Sequence, residues 1–512
     1  MSSRRDFLKL STALFGGAAL TYAGSLAHSL AQTDSSKPNF LILVLDAMSA
    51  HNLSLYGYAR PTTPYLQNFL NRATVYHNHY AGSNFTSPGT ASLLTGLYPW
   101  THRAIALGGL VNRSLASTNL FSLLGPGYQR QAFSHNPLAF ALLGQFAQDI
   151  EDLMSRTAFA LQQNVPMLDG AFVNDFPVAY NTFSEFLGIS EFYNNPASLS
   201  LGMLDMIAIK NAQVETSPNY PKGYPYNFHT YFRLEDVLGG LATSAVTLAA
   251  GDAPFAAYYH ILPPHAPYNP RKEFIEPFMN DGRAFPVKPQ HPLSVQRKPQ
   301  DKLDRLRLTY DSFIANIDRE LDSFLRTLHE GGALDNTYLI ITSDHGEIFE
   351  RGEYGHGTPL LYDGVCHIPL IVFAPGQTER RDVTALTSAT DLVPTLLALA
   401  GETVPAHLEG RALPGLGGSE EADRSVFSVF AQENSAFAPL THAVLSINKG
   451  THRLIHTRGY PGVYEDKVEL YDLADDPEEL TDLSSEDTVT ARRMKEELLD
   501  LLSAADRPYQ PK

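Results

Sequence analysis

The apolar residues of the chain are concentrated in short, uninterrupted runs, and two of these runs end at acidic residues. The first run covers residues 39–45 and ends at Asp46. The second covers residues 336–342 and is followed by Asp344 and His345, and the third covers residues 368–373. Continuous apolar runs of this length are typical of strands that are buried on both faces of a parallel sheet. The pattern therefore predicts several such strands in one sheet.

Helical periodicity separates these runs. The clearest example covers residues 303–330 and ends at the glycine pair Gly331-Gly332, which is a common way to end a helix. Alternating strands and helices predict an α/β fold, with a mostly parallel sheet that is flanked by helices on both faces. Sites in such sheets form at the carboxyl ends of the strands, so the polar residues that follow the runs are the first candidates for chemistry.

Two segments depart from this pattern. Residues 104–233 are rich in Phe, Tyr, Asn and Pro and are predicted to form an insertion, either a lid over the site or a surface elaboration with its own small core. Near the end of the chain, short strand-like runs alternate with turns. The sequence thus predicts a main domain over residues 32–430 and a small antiparallel α+β subdomain over residues 431–512.

The N-terminus has the features of an export signal. Arg4-Arg5 lies in the segment Ser-Arg-Arg-Asp-Phe-Leu-Lys and precedes an apolar stretch that reaches Leu30, which resembles a twin-arginine signal. Ala31 offers a cleavage point before Gln32, whereas an uncleaved anchor or a Sec signal is the alternative. We therefore expect residues 1–31 to direct export by the twin-arginine machinery of a bacterium and the mature chain to begin near Gln32, which leaves a periplasmic or extracellular protein. The remaining chain has no apolar run that is long enough to span a bilayer.

Charge and cysteine content narrow the classes of function. The formal net charge of −17 argues against a nucleic acid or an anionic membrane as partner, because an acidic surface repels both. Cys366 is the single cysteine, so no intramolecular disulfide can form. Its place before an apolar run indicates a small buried hydrophobic side chain.

The strongest chemical signal lies in residues 84–96, which read Asn-Phe-Thr-Ser-Pro-Gly-Thr-Ala-Ser-Leu-Leu-Thr-Gly. Pro88 suits the first turn of a helix, whose backbone N–H groups would face Thr86 and a bound anion. The segment resembles the nucleophile segment of the sulfatase and alkaline-phosphatase superfamily, in which a Cys or Ser becomes formylglycine. Thr86 occupies the convertible position here, and Thr90 stands where sulfatases carry an Arg. Because the hydroxyl of Thr cannot become the aldehyde, the resemblance implies direct attack by Thr86.

Further motifs of that superfamily follow in the expected order along the chain. They include Asp46, Tyr56-Gly57-Tyr58, Leu97-Tyr98-Pro99, His260 and His265, Asp344-His345, His356 and the segment 391–395. The resemblance implies a sulfatase-like fold with Asp46, Thr86, Asp344 and His345 as metal ligands. It also implies that His265 and His356 contact the transferring group or protonate the leaving oxygen, both of which imidazole can do near neutral pH.

Three other polar residues have a structural interpretation that is as good as the functional one. His260 is either a substrate contact or a core histidine at the end of a strand. Asn84 and Thr90 flank Thr86 and either touch the substrate or cap the adjacent helix.

One divalent metal ion is expected at the site. Sulfatases usually hold calcium with paired Asp residues and an Asp-Asn pair, whereas this chain has Asp46-Ala47 and Asp344-His345. Fewer carboxylates and an added imidazole favour Mn²⁺ or Zn²⁺ over Ca²⁺. The ion would lower the pKa of the attacking hydroxyl, since free Thr is a poor nucleophile.

Three functions are consistent with these residues. The first is an exported hydrolase that cleaves phosphate mono- or diesters or sulfate esters of a small molecule, glycan or lipid. The second is a transferase of the phosphoethanolamine or glycerol-phosphate type, and the third is an inactive binding protein with the same fold. The intact set of Asp46, Thr86, Asp344 and His345 favours an enzyme, and the lack of several membrane helices favours the hydrolase.

Overall fold

The structure is a computed structural model that describes residues 37–161, 207, 218–227, 230–279 and 281–510. The predicted signal segment 1–31 and most of residues 162–217 lie outside the described residues. In the described residues the strands are β1 (Asn39–Leu45), β2 (Thr74–Tyr80), β3 (Gln129–Ser134), β4 (Asp152–Leu153), β5 (Tyr226–Asn227), β6 (Thr230–Tyr231), β7 (Phe255–Ile261), β8 (Thr337–Thr342), β9 (Ile348–Glu350), β10 (Glu353–Gly355), β11 (Leu370–Phe373), β12 (Arg381–Ser388), β13 (Ser425–Phe430), β14 (Ala443–Lys449), β15 (His452–Tyr460) and β16 (Tyr464–Asp472). The α-helices are α1 (Thr86–Thr95), α2 (Pro99–His102), α3 (Leu120–Leu124), α4 (Pro137–Gln145), α5 (Leu234–Ala249), α6 (Glu276–Met279), α7 (Gln300–Glu330), α8 (Asp363–Cys366), α9 (Leu392–Leu399) and α10 (Thr488–Asp506).

Eight strands form the main sheet in the order β12-β2-β11-β8-β1-β7-β3-β4. β1 lies near the centre and pairs in parallel with β7 and β8, with Val44 opposite both His260 and Thr342. β11 runs antiparallel to its two neighbours, β2 and β8, and the other pairs are parallel. The prediction of a mostly parallel sheet is therefore confirmed, and the carboxyl ends of β1, β3, β7 and β8 lie at one edge.

The two faces of the sheet bury separate hydrophobic cores. Leu41 and Leu43 of β1 pack on one face with α5 and α7, while Phe40 and Ile42 pack on the other with α1, α3, α4 and α9. Each of these four side chains is fully buried, as expected for a strand between two helical layers. This burial on both faces explains the uninterrupted apolar run of β1.

The structure differs from the prediction for the first part of segment 104–233. β3 lies within that segment and pairs in parallel with β7, and β4 extends the sheet by pairing with β3. β3 escaped detection because its sequence, Gln-Arg-Gln-Ala-Phe-Ser, is polar at the start. Those polar side chains have partners near the sheet edge, since Arg130 pairs with Glu151 and Gln131 donates to Asp152. The role of the remaining segment as a lid stays a prediction.

A small antiparallel subdomain completes the chain, as predicted. Strands β13 to β16 form a four-stranded antiparallel sheet. Helix α10 covers one face of that sheet with Met494, Leu498 and Leu502, which are buried against strand side chains such as Leu454. The sheet begins at Ser425, a few residues before the predicted boundary.

Arg453 of β15 links this subdomain to the main domain through a buried ion-pair cluster. Its guanidinium is fully buried and lies 3.0 Å from Asp363 and 3.2 Å from Glu479, and its Nε donates to Asn448 at 3.1 Å. Removing one partner of a buried ion pair leaves the other charges uncompensated in a medium of low dielectric constant.

Arg453→Met is therefore expected to lower the free energy of unfolding by about 3–5 kcal/mol, measured by urea titration. Arg458 is a matched control in the same strand because it is partly exposed, and Arg458→Met is expected to change stability by less than about 0.5 kcal/mol. Equal urea midpoints for the two variants would contradict the structural role of Arg453.

Two further observations concern membrane-spanning helices and the single cysteine. No helix among the described residues combines the length and the apolar character that a bilayer crossing requires. Cys366 is fully buried, which confirms its interpretation as a small core side chain, and burial raises the pKa of its thiol to about 12.

Candidate active site

Polar side chains from four strand ends meet at the carboxyl edge of the main sheet. Asp46 follows β1, Asn136 follows β3, His260 lies near the end of β7, and Asp344 with His345 follows β8. All five side chains are buried, none being more than 2% exposed. Polar groups are gathered in the interior at this depth only where they have partners or bind a ligand.

The two aspartates lie within reach of two imidazoles. His345 Nε2 is 3.5 Å from Asp46 Oδ1 and 3.5 Å from Asp344 Oδ2. His260 Nε2 is 3.1 Å from Asp46 Oδ2 and 3.8 Å from Asp344 Oδ2. The structure thus brings the predicted ligands Asp46, Asp344 and His345 together and adds His260, which forms with the two aspartates a group whose ligand atoms lie within 4.8 Å of one another.

One oxygen of each carboxylate is buried and accepts no hydrogen bond from the described residues. These oxygens are Asp46 Oδ1 and Asp344 Oδ2. Burial and the neighbouring Asp46 carboxylate raise the pKa of Asp344. Burial also favours the neutral form of Asp46, but the nearby histidines His265, His260 and His345 lower its pKa. Two buried carboxylates and two imidazoles are a donor set that fits one divalent ion, which would allow both acids to be ionised.

Thr86 lies at the start of α1, beside this cluster. Its side chain is 1% exposed, and Oγ1 is 3.4 Å from His345 Nε2. The residue before it, Phe85, has an extended backbone, and its side chain accepts no hydrogen bond from the first N–H groups of α1. The approach of α1 to the end of β8 depends on Gly89, because a Cβ there would lie 2.3 Å from the carbonyl oxygen of Asp344. This explains the glycine three residues after Thr86.

Asn136 is a site residue that the sequence analysis missed. Its Nδ2 donates to Asp46 Oδ2 at 2.5 Å and to Thr86 Oγ1 at 3.2 Å, while its Oδ1 caps α4 by accepting from Leu138 N–H at 2.8 Å. A visible signal existed, since Asn before Pro137 is a helix cap that directly follows a strand. The polar sequence of β3 concealed that strand.

His265 and His356 lie beside the cluster. Their ring centres are 4.6 Å apart, and the ring of His356 is 4.3 Å from that of His345. His356 Nδ1 is 3.0 Å from Glu347 Oε1, and although burial disfavours the charged ring, this carboxylate raises the pKa of His356. Burial lowers the pKa of His265, and the neighbouring His356 contributes to this. The two imidazoles therefore favour different protonation states.

The capping interpretation of Asn84 and Thr90 is wrong. Phe85 holds the cap position of α1, and Thr90 lies one turn inside that helix. Asn84 Nδ2 instead donates to the carbonyl oxygens of Thr358 at 2.6 Å and Leu360 at 3.1 Å. Asn84 thereby fixes the loop that carries His356, and its role toward a substrate stays a prediction, as does that of Thr90.

Comparisons with known proteins identify the fold and the family. The family model described as Sulfatase matches residues 38–402, and a second, described as N-sulphoglucosamine sulphohydrolase, C-terminal, matches residues 352–504. Among solved structures, a phosphonate monoester hydrolase of Agrobacterium radiobacter has a TM-score of 0.65 at 23% identity, covering 92% of this chain and 96% of that chain. That likeness shows the shared fold.

Sequence relatives agree with this result. Arylsulfatase K of Xenopus laevis is 27% identical over 209 residues, which is 40% of this chain and 38% of that protein. This chain thus spans little more than a third of the length of that relative. An arylsulfatase of Clostridium perfringens is 21% identical over 472 residues, which covers 87% of this chain and 90% of that protein. Because the Sulfatase model matches well over half of the residues, the chain belongs to the sulfatase family.

Proposed function

We propose that the chain is a metal-dependent hydrolase of the sulfatase family that cleaves phosphate or sulfate esters with Thr86 as its nucleophile. The observation that carries this proposal is the position of Thr86 Oγ1, which lies 3.4 Å from His345 Nε2, beside two buried carboxylates with free oxygens. The relatives named as arylsulfatases and the structural neighbour named as a phosphonate monoester hydrolase support an ester of a tetrahedral oxyanion as substrate.

We propose Asp46, Asp344 and His345 as the protein ligands of one divalent ion, with Thr86 completing its surroundings. Imidazole nitrogen among the donors favours Mn²⁺ or Zn²⁺ over Ca²⁺, and the nearby His260 strengthens that preference. When bound, the ion supplies positive charge that favours the deprotonated form of Thr86 and holds the anionic ester. His260 Nε2 lies 3.1 Å from Asp46 Oδ2, a contact that would orient this carboxylate as a metal ligand.

The side chains around Thr86 provide the remaining steps. Asn136 Nδ2 holds Thr86 Oγ1 in place, and the backbone N–H groups of the first turn of α1, which have no side-chain cap from Phe85, would stabilise negative charge on the bound ester. Thr86 Oγ1 releases its proton to solvent and attacks phosphorus or sulfur, the bond to the leaving oxygen breaks, and that oxygen takes a proton from His356, which Glu347 orients. Water then attacks the same phosphorus or sulfur and gives one proton to His356, the bond to Thr86 Oγ1 breaks, and Thr86 regains its proton from solvent.

Asn136→Ala is expected to lower kcat by about 10–100-fold, because Thr86 and Asp46 lose a shared donor. Steady-state assays with a chromogenic ester measure the effect. Asn119→Ala is the matched control, since Asn119 also caps a short helix, α3, through its side chain but lies outside the site. A kcat for Asn136→Ala equal to that of Asn119→Ala would remove Asn136 from the proposed mechanism.

The proposed reaction is tested with a panel of aryl sulfates, phosphate mono- and diesters and phosphonate monoesters, with bound metal determined on the same preparation. Release of the anion into water supports a hydrolase. Transfer of the phosphoryl or sulfuryl group to an added alcohol would instead support the transferase. Protein that is free of divalent metal and inactive toward every ester in the presence of Mn²⁺, Zn²⁺ and Ca²⁺ would overturn the proposal in favour of a binding protein.

We also propose that the chain is exported through the twin-arginine pathway, on the basis of Arg4-Arg5 and the apolar stretch that follows. Replacing both residues by lysine is expected to retain at least about 90% of the protein in the cytoplasm, since this pathway reads the arginine pair. Fractionation of a bacterial host that has the pathway measures the distribution. Unchanged export of the double-lysine variant would point to a different route.

A further inference from the structure

A separate cavity of 420 Å³ is lined by cationic and aromatic side chains. Its walls include His51, Tyr58, Arg60, Phe285 and Arg307, and the acidic residues Asp363 and Glu478 also line it. None of the residues assigned above to the candidate active site is among those that line it. The cavity is thus a distinct feature of the described surface.

Two arginines contact the same pair of aromatic rings in this cavity. Arg60 Cζ lies 4.1 Å and Arg307 Cζ 4.7 Å from the ring centre of Phe285. The corresponding distances to the ring of Tyr58 are 5.9 and 5.4 Å. Packing of guanidinium groups against rings fixes their planes and leaves N–H groups available at the edges. Two positive charges are therefore held close to each other.

Only one of the two arginines has an acidic partner. Arg60 Nε lies 2.6 Å from Asp281 Oδ2, and Arg60 Nη2 donates to the carbonyl oxygen of Arg283 at 2.6 Å. Arg307 is only 7% exposed, yet among the described residues no carboxylate lies within salt-bridge distance of it, and its Nε has no hydrogen-bond partner. A buried charge without a partner is unfavourable, so Arg307 is the unusual feature of the cavity.

The other acids near the cavity have close partners other than Arg307. Asp311, one turn after Arg307 in α7, accepts from Asn52 Nδ2 and from the Tyr58 hydroxyl, each at 2.7 Å. His51 lies 3.6 Å from Asp363 and 3.4 Å from Glu478. Burial raises the pKa of Asp311 and the charge of Arg307 opposes that rise, so these two groups attract each other, but no carboxylate of the described residues contacts the Arg307 guanidinium.

We propose that this cavity is a second anion site, in which Arg307 binds a sulfate, phosphate or carboxylate group through the free edge of its guanidinium. A guanidinium fork matches these oxyanions with two parallel hydrogen bonds. The group can come from two sources, a free inorganic anion or an anionic substituent of a large substrate. The second source rests on the proposed function, whereas the site itself does not.

Equilibrium dialysis of the full chain with radiolabelled inorganic sulfate, and separately with inorganic phosphate, tests the site. Arg307→Gln is compared with Arg305→Gln, a control in the same helix whose side chain is 68% exposed and pairs with Asp301. Arg307→Gln is expected to bind one anion fewer per chain than Arg305→Gln, whatever the active site binds. Equal stoichiometry and affinity in the two variants would overturn the proposal.

A second variant protects this test against misfolding. Arg307→Lys keeps the positive charge but loses the planar fork, and we expect it to bind the anion about tenfold more weakly than Arg305→Gln does. Circular dichroism confirms that both Arg307 variants are folded before dialysis. Anion binding by folded Arg307→Lys and Arg307→Gln that equals the control would likewise overturn the site.

The two sources are separated by kinetics on two esters, one with a single anionic group and one that is polyanionic. A rise in KM of about tenfold for Arg307→Gln, confined to the polyanionic ester, identifies a substrate substituent as the ligand. Unchanged KM values together with lost binding of inorganic anions identify a free anion. Because dialysis requires no turnover, failure of the proposed hydrolase activity leaves the test of the anion site intact.

Discussion

Thr86→Ala is expected to lower ester hydrolysis by at least about 10³-fold, because the reaction then lacks its nucleophile. Thr86 Oγ1 is the hydroxyl at the start of α1 and lies beside the carboxylates of Asp46 and Asp344, and Asn136 Nδ2 contacts it at 3.2 Å. A water molecule in its place would lack the fixed geometry that the side chain provides. The measurement is kcat/KM toward the best ester of the panel.

A covalent adduct distinguishes a nucleophile from a residue that only packs in the site. Intact-mass spectrometry of wild-type protein quenched with acid during turnover should show one added phosphoryl or sulfuryl group, which Thr86→Ala cannot carry. Thr86→Ser keeps a hydroxyl and should retain both the adduct and measurable turnover.

Thr95 is the matched control at the other end of the same helix. Its hydroxyl donates to the carbonyl oxygen of Ala91 at 2.6 Å and lies outside the cluster. Thr95→Val should therefore keep the adduct and change kcat by less than about twofold, within the usual effect of a substitution remote from the site. An adduct on Thr86→Ala, or its presence at another residue in wild-type protein, would show that Thr86 is not the nucleophile.

The sequence was sufficient to predict the centre of the sheet and the convergence of the proposed metal ligands Asp46, Asp344 and His345. β1 and β8 are apolar on both faces, and parallel neighbours place Asp46 and the Asp344-His345 pair at the same edge by geometry alone. The direction of β11 could not be predicted, since a buried antiparallel strand has the same apolar pattern as a parallel one. β11 runs antiparallel to β8 because the segment between them, which includes α8, begins and ends at the same edge of the sheet.

Side chains that depend on tertiary contacts were harder to assign. β3 begins with Gln-Arg-Gln, and its polar side chains Arg130 and Gln131 find acidic partners on the following segment. Missing that strand meant missing Asn136. His260 was ambiguous because a histidine near the end of a strand looks the same in sequence whether it packs in the core or faces a ligand, and only the structure shows that it lies beside Asp46 and Asp344.

Asp344→Asn is expected to lose the bound metal and to lower kcat/KM by at least about 10³-fold, since one ionised ligand is replaced by a neutral one. Removal of the ion from wild-type protein by chelation should have the same effect on turnover, and adding back Mn²⁺ or Zn²⁺ should restore it better than Ca²⁺ does. Metal content is measured by mass spectrometry after dialysis, and turnover with the same ester as for Thr86→Ala.

The metal-free protein should also be less stable. With the ion at about 1,000 times its Kd, binding contributes about 4 kcal/mol to the folded state, so chelation should lower the Tm of wild-type protein but leave that of Asp344→Asn nearly unchanged. Asp318 provides the control, because it is a buried acid of α7 that accepts from the backbone N–H groups of Tyr65 and Leu66, away from the site. Asp318→Asn should retain a full equivalent of metal. If Asp344→Asn retained as much metal as Asp318→Asn, the free oxygens of Asp46 and Asp344 would need another explanation, since two buried carboxylates so close together are unfavourable without a cation between them.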